Sequence, residues 1–571
     1  MDFTLNKIDN NIENNMLLLR NLTTEDVKNI LNPTEDFIEN VLNYKNIDLG
    51  IKKINEAFES NKLIAILVDN DVDGFASASM IYDFIFNICL YDNIVYMIHE
   101  NPKAHGLTNE VVDKLIDSDV ELLIIPDGGS NDFKYMNILK NNSIDVLVLD
   151  HHEIEITNKE LNQLSNLVLI NNQDGQVNNI NLSGGGVTYK FIRYYCQMMD
   201  KKISNRYIDL VALSIVSDVC DMRSLENRYY YNIGSQISNI TNPLILEFCN
   251  KLKKHKKSKL TIEEIGFAIA PYINAIIRCG DMEDKEILFN AFLGCEDLIE
   301  HKFRKEIKLI TYQEKVIKLG EHYKGTQKRQ VQASLNKIKN KIEEKGLDKN
   351  KIIILDVTNI LPNGLKGLVC NKLLDTYRRP IFLTSKFKKD MYGGSSRGYS
   401  KVVPNLKEFC NESGYFNSLE GHSNSFGHTI NENNIQPFIQ YANKNITNEI
   451  NYKNTYEVEK VYKQEIPLSD VLQISKYEDL WCSQIKAPRY LLKDVVINVS
   501  DIKKYGNATY KFMINDILFE KDFGSKIWFE DFIKEENNAE IIKTDILVEF
   551  RLNKSKKAFC KIIDTESTIV A

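Results

Sequence analysis

What the sequence lacks narrows its class first. Ten cysteines are spread along the 571 residues, yet no two form a C-x-x-C pair. That excludes a zinc ribbon or a disulfide framework and leaves reduced, mostly buried thiols of a cytosolic protein as the expectation. Positive charge is not in excess, because 72 Lys and Arg stand against 79 Asp and Glu for a formal net charge of −7. A nucleic-acid partner would have to be met by local basic clusters. Nowhere do about twenty apolar residues follow one another, and "MDFTLNKIDNNIENN" has no basic stretch leading into an apolar one. A soluble, cytoplasmic protein with no membrane partner is therefore expected. No internal repeat is visible. What is present, 43% hydrophobic and 26% charged residues, is a globular composition, long enough for three or four domains.

Residues 1–60 read as a helical lead-in, with "TTEDVKNIL" placing Thr and acids ahead of apolar residues at helical spacing. From 61 to 297 short apolar runs alternate with helical stretches: "LIAILVD", "NIVYMIH", "ELLIIPD", "DVLVLD" and "NLVLIN". Continuous apolar runs of that length predict parallel strands buried on both faces. Residues 298–348, rich in Lys and Glu, read as one or two long connecting helices. A second α/β unit, 349–447, opens at "KIIILDV" and contains "RRPIFLTS" and "YGGSSRGYS"; 448–571 is β-rich, with a small barrel as a candidate. The expected fold class is α/β: a parallel-sheet domain joined by a long helix to a smaller α/β domain, with a helical lead-in and a β-rich C-terminal domain.

Three predicted strands end in an acid, at Asp69, Asp127 and Asp150. In open α/β sheets ligands sit beyond the carboxyl ends of the strands, so these ends should converge on one crevice. Converging carboxylates repel unless cations neutralise them. Asp71, Asp73 and Asp127, with His151 and His152 of "LDHHE", offer hard oxygen plus imidazole, a set suited to Mn²⁺ or Mg²⁺. Asp218, in the mainly apolar "DLVALSIVSDVCDM", would be costly uncompensated and is a further candidate ligand. An Asp that ends a strand is also a common helix cap or turn former. "DNDVDG" could pass for a calcium loop, but it follows a strand and lacks the Glu at the twelfth position. The repetition at three strand ends is what carries the metal site.

"DNDVDG", "PDGG", "LDHHE" and "VALSIVSDV" stand in the order and spacing of the four motifs of the DHH phosphoesterase superfamily. Together with "LSGGGVTYK", "PYINAIIRCGD" and "EGHSNSFG", the region from about 15 to 430 resembles the RecJ branch, single-strand-specific 5′ to 3′ DNA exonucleases of repair and recombination. The resemblance implies two divalent ions, usually Mn²⁺, held by Asp71, Asp73, Asp127, His151 and Asp218, with Asp127 bridging. Asp69 would be a ligand or stand just behind one, Asp150 would orient a histidine, and His152 would contact the scissile phosphate. The second α/β unit resembles the DHH-associated domain, which implies that Ser396 and Arg397 of "GGSSRG" grip phosphates and that His422 leans toward the cleft. Asn274 and Arg278 would face the nucleic acid, and Ser183 would start a helix near the metals and bind substrate. "KLKKHKKSK", 251–259, could meet a DNA backbone or be a solvated face.

The match departs from the family at "HENPKAHGL", where His105 replaces an aromatic residue and the upstream Arg is missing. The expected activity is metal-dependent 5′ to 3′ hydrolysis of single-stranded DNA to mononucleotides, with a helicase or single-strand-binding protein as candidate partners. The competing readings are a DHH enzyme acting on RNA or short oligonucleotides, and a non-catalytic scaffold like Cdc45.

Overall fold

The computed structural model describes residues 2–102, 104–155, 164–255, 258–303, 306–450, 455–506, 509–521, 541–553 and 557–569, without the side chains of 303, 422 and 567–569. Lys256 and Lys257 of the basic run lie outside the described residues. The chain divides into two compact units, one of Glu39–Cys220 and Tyr230–Tyr452, the other of Met1–Ile38, Asp221–Tyr229 and Lys453–Ala571.

The larger unit is built on five parallel strands, β1 (Ile64–Val68), β2 (Ile94–Ile98), β3 (Leu122–Pro126), β4 (Asp145–Asp150) and β5 (Leu167–Asn171), in the order 2-1-3-4-5. Each coincides with one of the apolar runs. Both faces are covered, which is why β1 and β3 are buried at every residue. On one face Ala65, Leu67, Leu123, Ile125, Val146 and Val148 pack with Val111, Leu115, Met136 and Leu139 of two helices. On the other face α1 (Val72–Asp83), α2 (Gly184–Met198) and α3 (Ile208–Ser217) pack against one another. The strand order reverses between β1 and β3, and a sheet of this topology opens its ligand crevice there.

Residues 298–303 and 306–311 pair as antiparallel strands, β6 (Leu298–Phe303) and β7 (Glu306–Thr311), instead of starting a helix. The reason is local: "EIKL" alternates polar with apolar, a period of two, and Ile and Thr follow, both strand formers. Helix α5 (Tyr312–Glu344) follows, opened by a capping box between Thr311 and Glu314, and its 33 residues span about 50 Å. Before it, α4 (Ala270–Cys279) packs on α5. The second sheet combines β8 (Ile353–Asp356), β9 (Ile381–Lys388), β10 (Met391–Arg397), β11 (Phe416–His422) and β12 (Ser425–Asn431) in the order 11-12-10-9-8. Only the β8–β9 pair is parallel.

In the smaller unit a seven-stranded sheet shares one core with the N-terminal helices, in which Ile12, Met16, Leu17, Val27 and Ile30 meet Tyr490, Phe512, Phe550 and Ile562. Strand Asp2–Leu5 pairs in parallel with Thr455–Val458. The helical lead-in is thus divided, because helix Ile47–Glu59 packs on β5 in the larger unit through Gly50, whose missing Cβ would stand 2.7 Å from Ile170. Among the described residues the two edge strands of the seven-stranded sheet do not pair with each other.

Candidate metal centre

The three alternate acids after β1 do three different things. Asp69 directly follows the strand, buried at 4% exposure. Asp71 is the N-cap of α1 and accepts the Gly74 N–H at 2.9 Å, a favourable place for a negative charge. Asp73, in the first turn, accepts the Gly184 and Gly185 N–H groups at 2.9 Å each, together with the hydroxyls of Ser77 and Ser214. Those two amides belong to the N-terminus of α2, whose cap Ser183 accepts the Gly186 N–H at 3.2 Å. Glycine is required here because a Cβ at Gly184 would overlap Asp127 and one at Gly185 would overlap Ser214.

Asp127 follows β3 with φ +65° and is 2% exposed. Among the described residues its buried Oδ1 has no aligned hydrogen-bond donor, and His151 Nε2 lies 3.1 Å away. The other nitrogen of His151 stands 3.9 Å from Asp218 Oδ2 at the end of α3. Asp150 is fully buried and accepts the N–H groups of Ser130, His151 and His152 at 3.1, 2.7 and 3.2 Å, and His152 Nδ1 at 2.8 Å. Donor atoms within 4.8 Å of one another come in three sets, the first two sharing His151: Asp127, Asp150, His151 and His152; Asp73, His151 and Asp218; and, separately, Asp69, Asp71 and His105.

Burial, reinforced by the charges of Asp69 and Asp73, raises the Asp71 carboxyl to about 6. Asp127 is pushed well above the usual carboxylate range by burial and then by Asp73, Asp71, Asp69 and Asp218, and Asp218 rises through burial and Asp73. Asp150 moves the other way: burial opposes its charge, but the hydrogen bond and charge of His152 outweigh it. The same bond lifts His152 to about 9 against its burial. A crevice of mutually repelling carboxylates around an orphaned buried oxygen, with imidazole beside it, fits hard divalent cations.

The DHH family, N-terminal domain, matches residues 63–215. Over 526 residues the chain is 32% identical to YorK of Bacillus subtilis (strain 168), an SPbeta prophage-derived protein named as a single-strand DNA-specific exonuclease, covering 90% of this chain and 88% of that one. The chain belongs to the RecJ-like branch of the DHH family. The single-stranded-DNA-specific exonuclease RecJ of Bacillus subtilis (strain 168) is 21% identical to this RecJ-like chain over 466 residues, 80% of this chain and 55% of that one. In fold it is similar to RecJ in complex with Mn²⁺ from Thermus thermophilus, with a TM-score of 0.71 and 15% identity over 98% of this chain and 76% of the other.

The expected metal ligands and the two histidines of this RecJ-like chain come together; the expected substrate contacts divide. Ser183 is fully buried and bonded to Ser214 at 2.9 Å, so it supports Asp73 from below and is out of reach of a substrate. Ser396 is likewise buried, its hydroxyl 2.7 Å from His428 Nδ1; on β10 it faces the core, while its neighbour Arg397 faces α6 (Lys366–Tyr377) and reaches Gly367. Arg397 lines an open groove of about 430 Å³ with Asn371, Gly398 and Asn424. Burial lowers the pKa of Arg397, opposed by Cys370 and aided by the positive charge of Arg278. Asn274 and Arg278 are four residues apart on α4; Arg278 is exposed, and the buried Asn274 Oδ1 has no partner among the described residues. The His422 side chain lies outside the described residues. Sequence reasoning missed Ser214 and the contact of His105 with Asp69; a serine on an apolar helix carries no signal of its own, whereas the departure at "KAHGL" did mark the second.

Proposed function

We propose that this chain is a metal-dependent exonuclease that hydrolyses single-stranded DNA from the 5′ end and releases mononucleotides. The observation that carries this reading is the convergence of Asp71, Asp73, Asp127, His151 and Asp218 at the strand-order reversal, with Asp71, Asp127 and Asp218 raised by burial and neighbouring negative charge. Those five residues, with Asp69 at the edge, would hold two divalent ions, Mn²⁺ or Mg²⁺. When bound, such ions supply the Lewis acidity that activates water and stabilises charge in an in-line displacement at phosphorus.

The protein's own groups account for the rest. His152 is 57% exposed and held by buried Asp150 with a pKa of about 9, so at neutral pH it presents a fixed imidazolium to the scissile phosphate. Asp150 spends its acceptor capacity on that ring and three backbone amides, which fixes the direction in which His152 donates. Arg278, which is exposed, and Arg397, which lines the open groove, would offer guanidinium groups suited to phosphates flanking the cut or to a 5′-terminal phosphate. Polarity, the preference for DNA over RNA and any helicase or single-strand-binding partner belong to this proposal through the likeness to YorK and RecJ.

The test is degradation of single-stranded DNA and of its RNA counterpart, each labelled at one end, with Mn²⁺ and with chelator. Metal-dependent release of labelled mononucleotide from the 5′ end of DNA is expected. Preference for RNA or for very short oligomers would overturn the reading.

A further inference from the structure

The described residues between His99 and Leu107 are anchored more heavily than a connection between a strand and a helix requires. Asn70, itself fully buried, donates to the carbonyls of Asn101 and Ala104 at 2.7 and 3.3 Å. Lys285, 1% exposed, donates to the carbonyls of His99 and Glu100 at 2.7 and 3.3 Å. The Gly106 N–H reaches Asp69 Oδ1 at 3.1 Å and the Leu107 N–H reaches Asp132 at 2.6 Å. What the anchoring delivers is His105: its Nδ1 lies 2.6 Å from Asp69 Oδ2, and it offers a donor atom within 4.8 Å of those of Asp69 and Asp71.

A second observation points to the same place from behind. His99 is 3% exposed, its Nε2 has no hydrogen-bond partner among the described residues, and that nitrogen stands 4.0 Å from Asp69 Oδ1. Asp69 is therefore flanked by one imidazole at the cleft and one in the interior. A carboxylate that only followed a strand would need neither.

We propose that His105 is a further metal ligand, joining Asp69 and Asp71 around the ion nearest β1, with His99 as a positioning residue behind Asp69. The inference rests on the metal-dependent reading above. Its chemical consequence is selectivity: a second imidazole, besides that of His151, favours Mn²⁺ over Mg²⁺, because nitrogen donors bind the transition ion more strongly than the hard alkaline-earth ion.

The experiment is Mn²⁺ binding to the full chain stripped of metal, followed by calorimetry and by the nitrogen couplings of bound Mn²⁺ in pulsed electron paramagnetic resonance. The unsubstituted protein, His105→Phe and His105→Gln are compared, with circular dichroism to confirm folding. Two Mn²⁺ ions with couplings from two imidazoles are expected for the unsubstituted chain. Either variant should lose one imidazole coupling and weaken one of the two sites by at least about tenfold, with a smaller change for Mg²⁺. Unchanged affinity and unchanged couplings in both variants would overturn His105 as a ligand while leaving the metal centre standing. No Mn²⁺ bound by the unsubstituted chain would overturn the metal-dependent reading and this ligand with it.

Discussion

Asp127 combines two requirements at one residue, a left-handed backbone and a buried charge. Asn tolerates φ near +65° and Ala does so less well. Asp127→Asn should therefore abolish hydrolysis while the metal-free fold melts no lower than the parent, because a repelled buried carboxyl is gone; Asp127→Ala should melt lower, by about 1 kcal/mol, with hydrolysis equally lost. Thermal melts in chelator and an end-labelled DNA assay separate the two effects. The carboxyls also set a pH dependence. Asp71, raised to about 6, must give up its proton to bind a cation, so Mn²⁺ affinity should fall as pH drops through about 6, with proton uptake on release measurable by calorimetry in two buffers. In the metal-free protein the folded state holds that proton more tightly than the unfolded chain, so its contribution to stability declines as pH rises from about 4 to about 6. These acids were legible in the sequence because three strands ended in the same residue type. Ser183 and Ser396 were not, since a serine beside glycines reads the same whether it caps a helix beneath the site or faces a substrate; only burial tells them apart.

The N-terminus of α2 is the element on which the centre depends most. Its first two amides hold Asp73, and its glycines leave room for Asp127 and Ser214. Gly184→Ala should displace Asp127 and cost about 1–3 kcal/mol of stability from overpacking, and Mn²⁺ binding should weaken with it; unchanged binding would mean that the crevice adapts more than its packing suggests. The five strands of the larger unit could be read directly, since a run such as "IAILV" buried on both faces leaves no competing pattern. The strand pair of 298–303 and 306–311 could not, because its alternation lasts only a few residues before a 33-residue helix with the same Lys and Glu content takes over.

At the scale of the whole molecule, every candidate metal ligand lies in the larger unit. Divalent ions should therefore raise the melting temperature of that unit, by an amount equivalent to about 2.7 kcal/mol at a hundredfold excess over the dissociation constant; scanning calorimetry with Mn²⁺ and with chelator reads this, and a melt indifferent to both would count against the centre. The division of the chain was not legible from composition, since nothing in the first 38 residues announces that their core partners lie beyond 453. That arrangement has a consequence for synthesis. Ile12, Met16 and Ile30 are translated more than four hundred residues before Tyr490, Phe512 and Phe550, against which they pack. At about 5–20 residues per second, those apolar side chains wait for an interval on the order of a minute before their partners exist. The larger unit, most of whose sequence emerges in between, can close around its own sheet first, so the earliest segment of the chain is among the last to find its place.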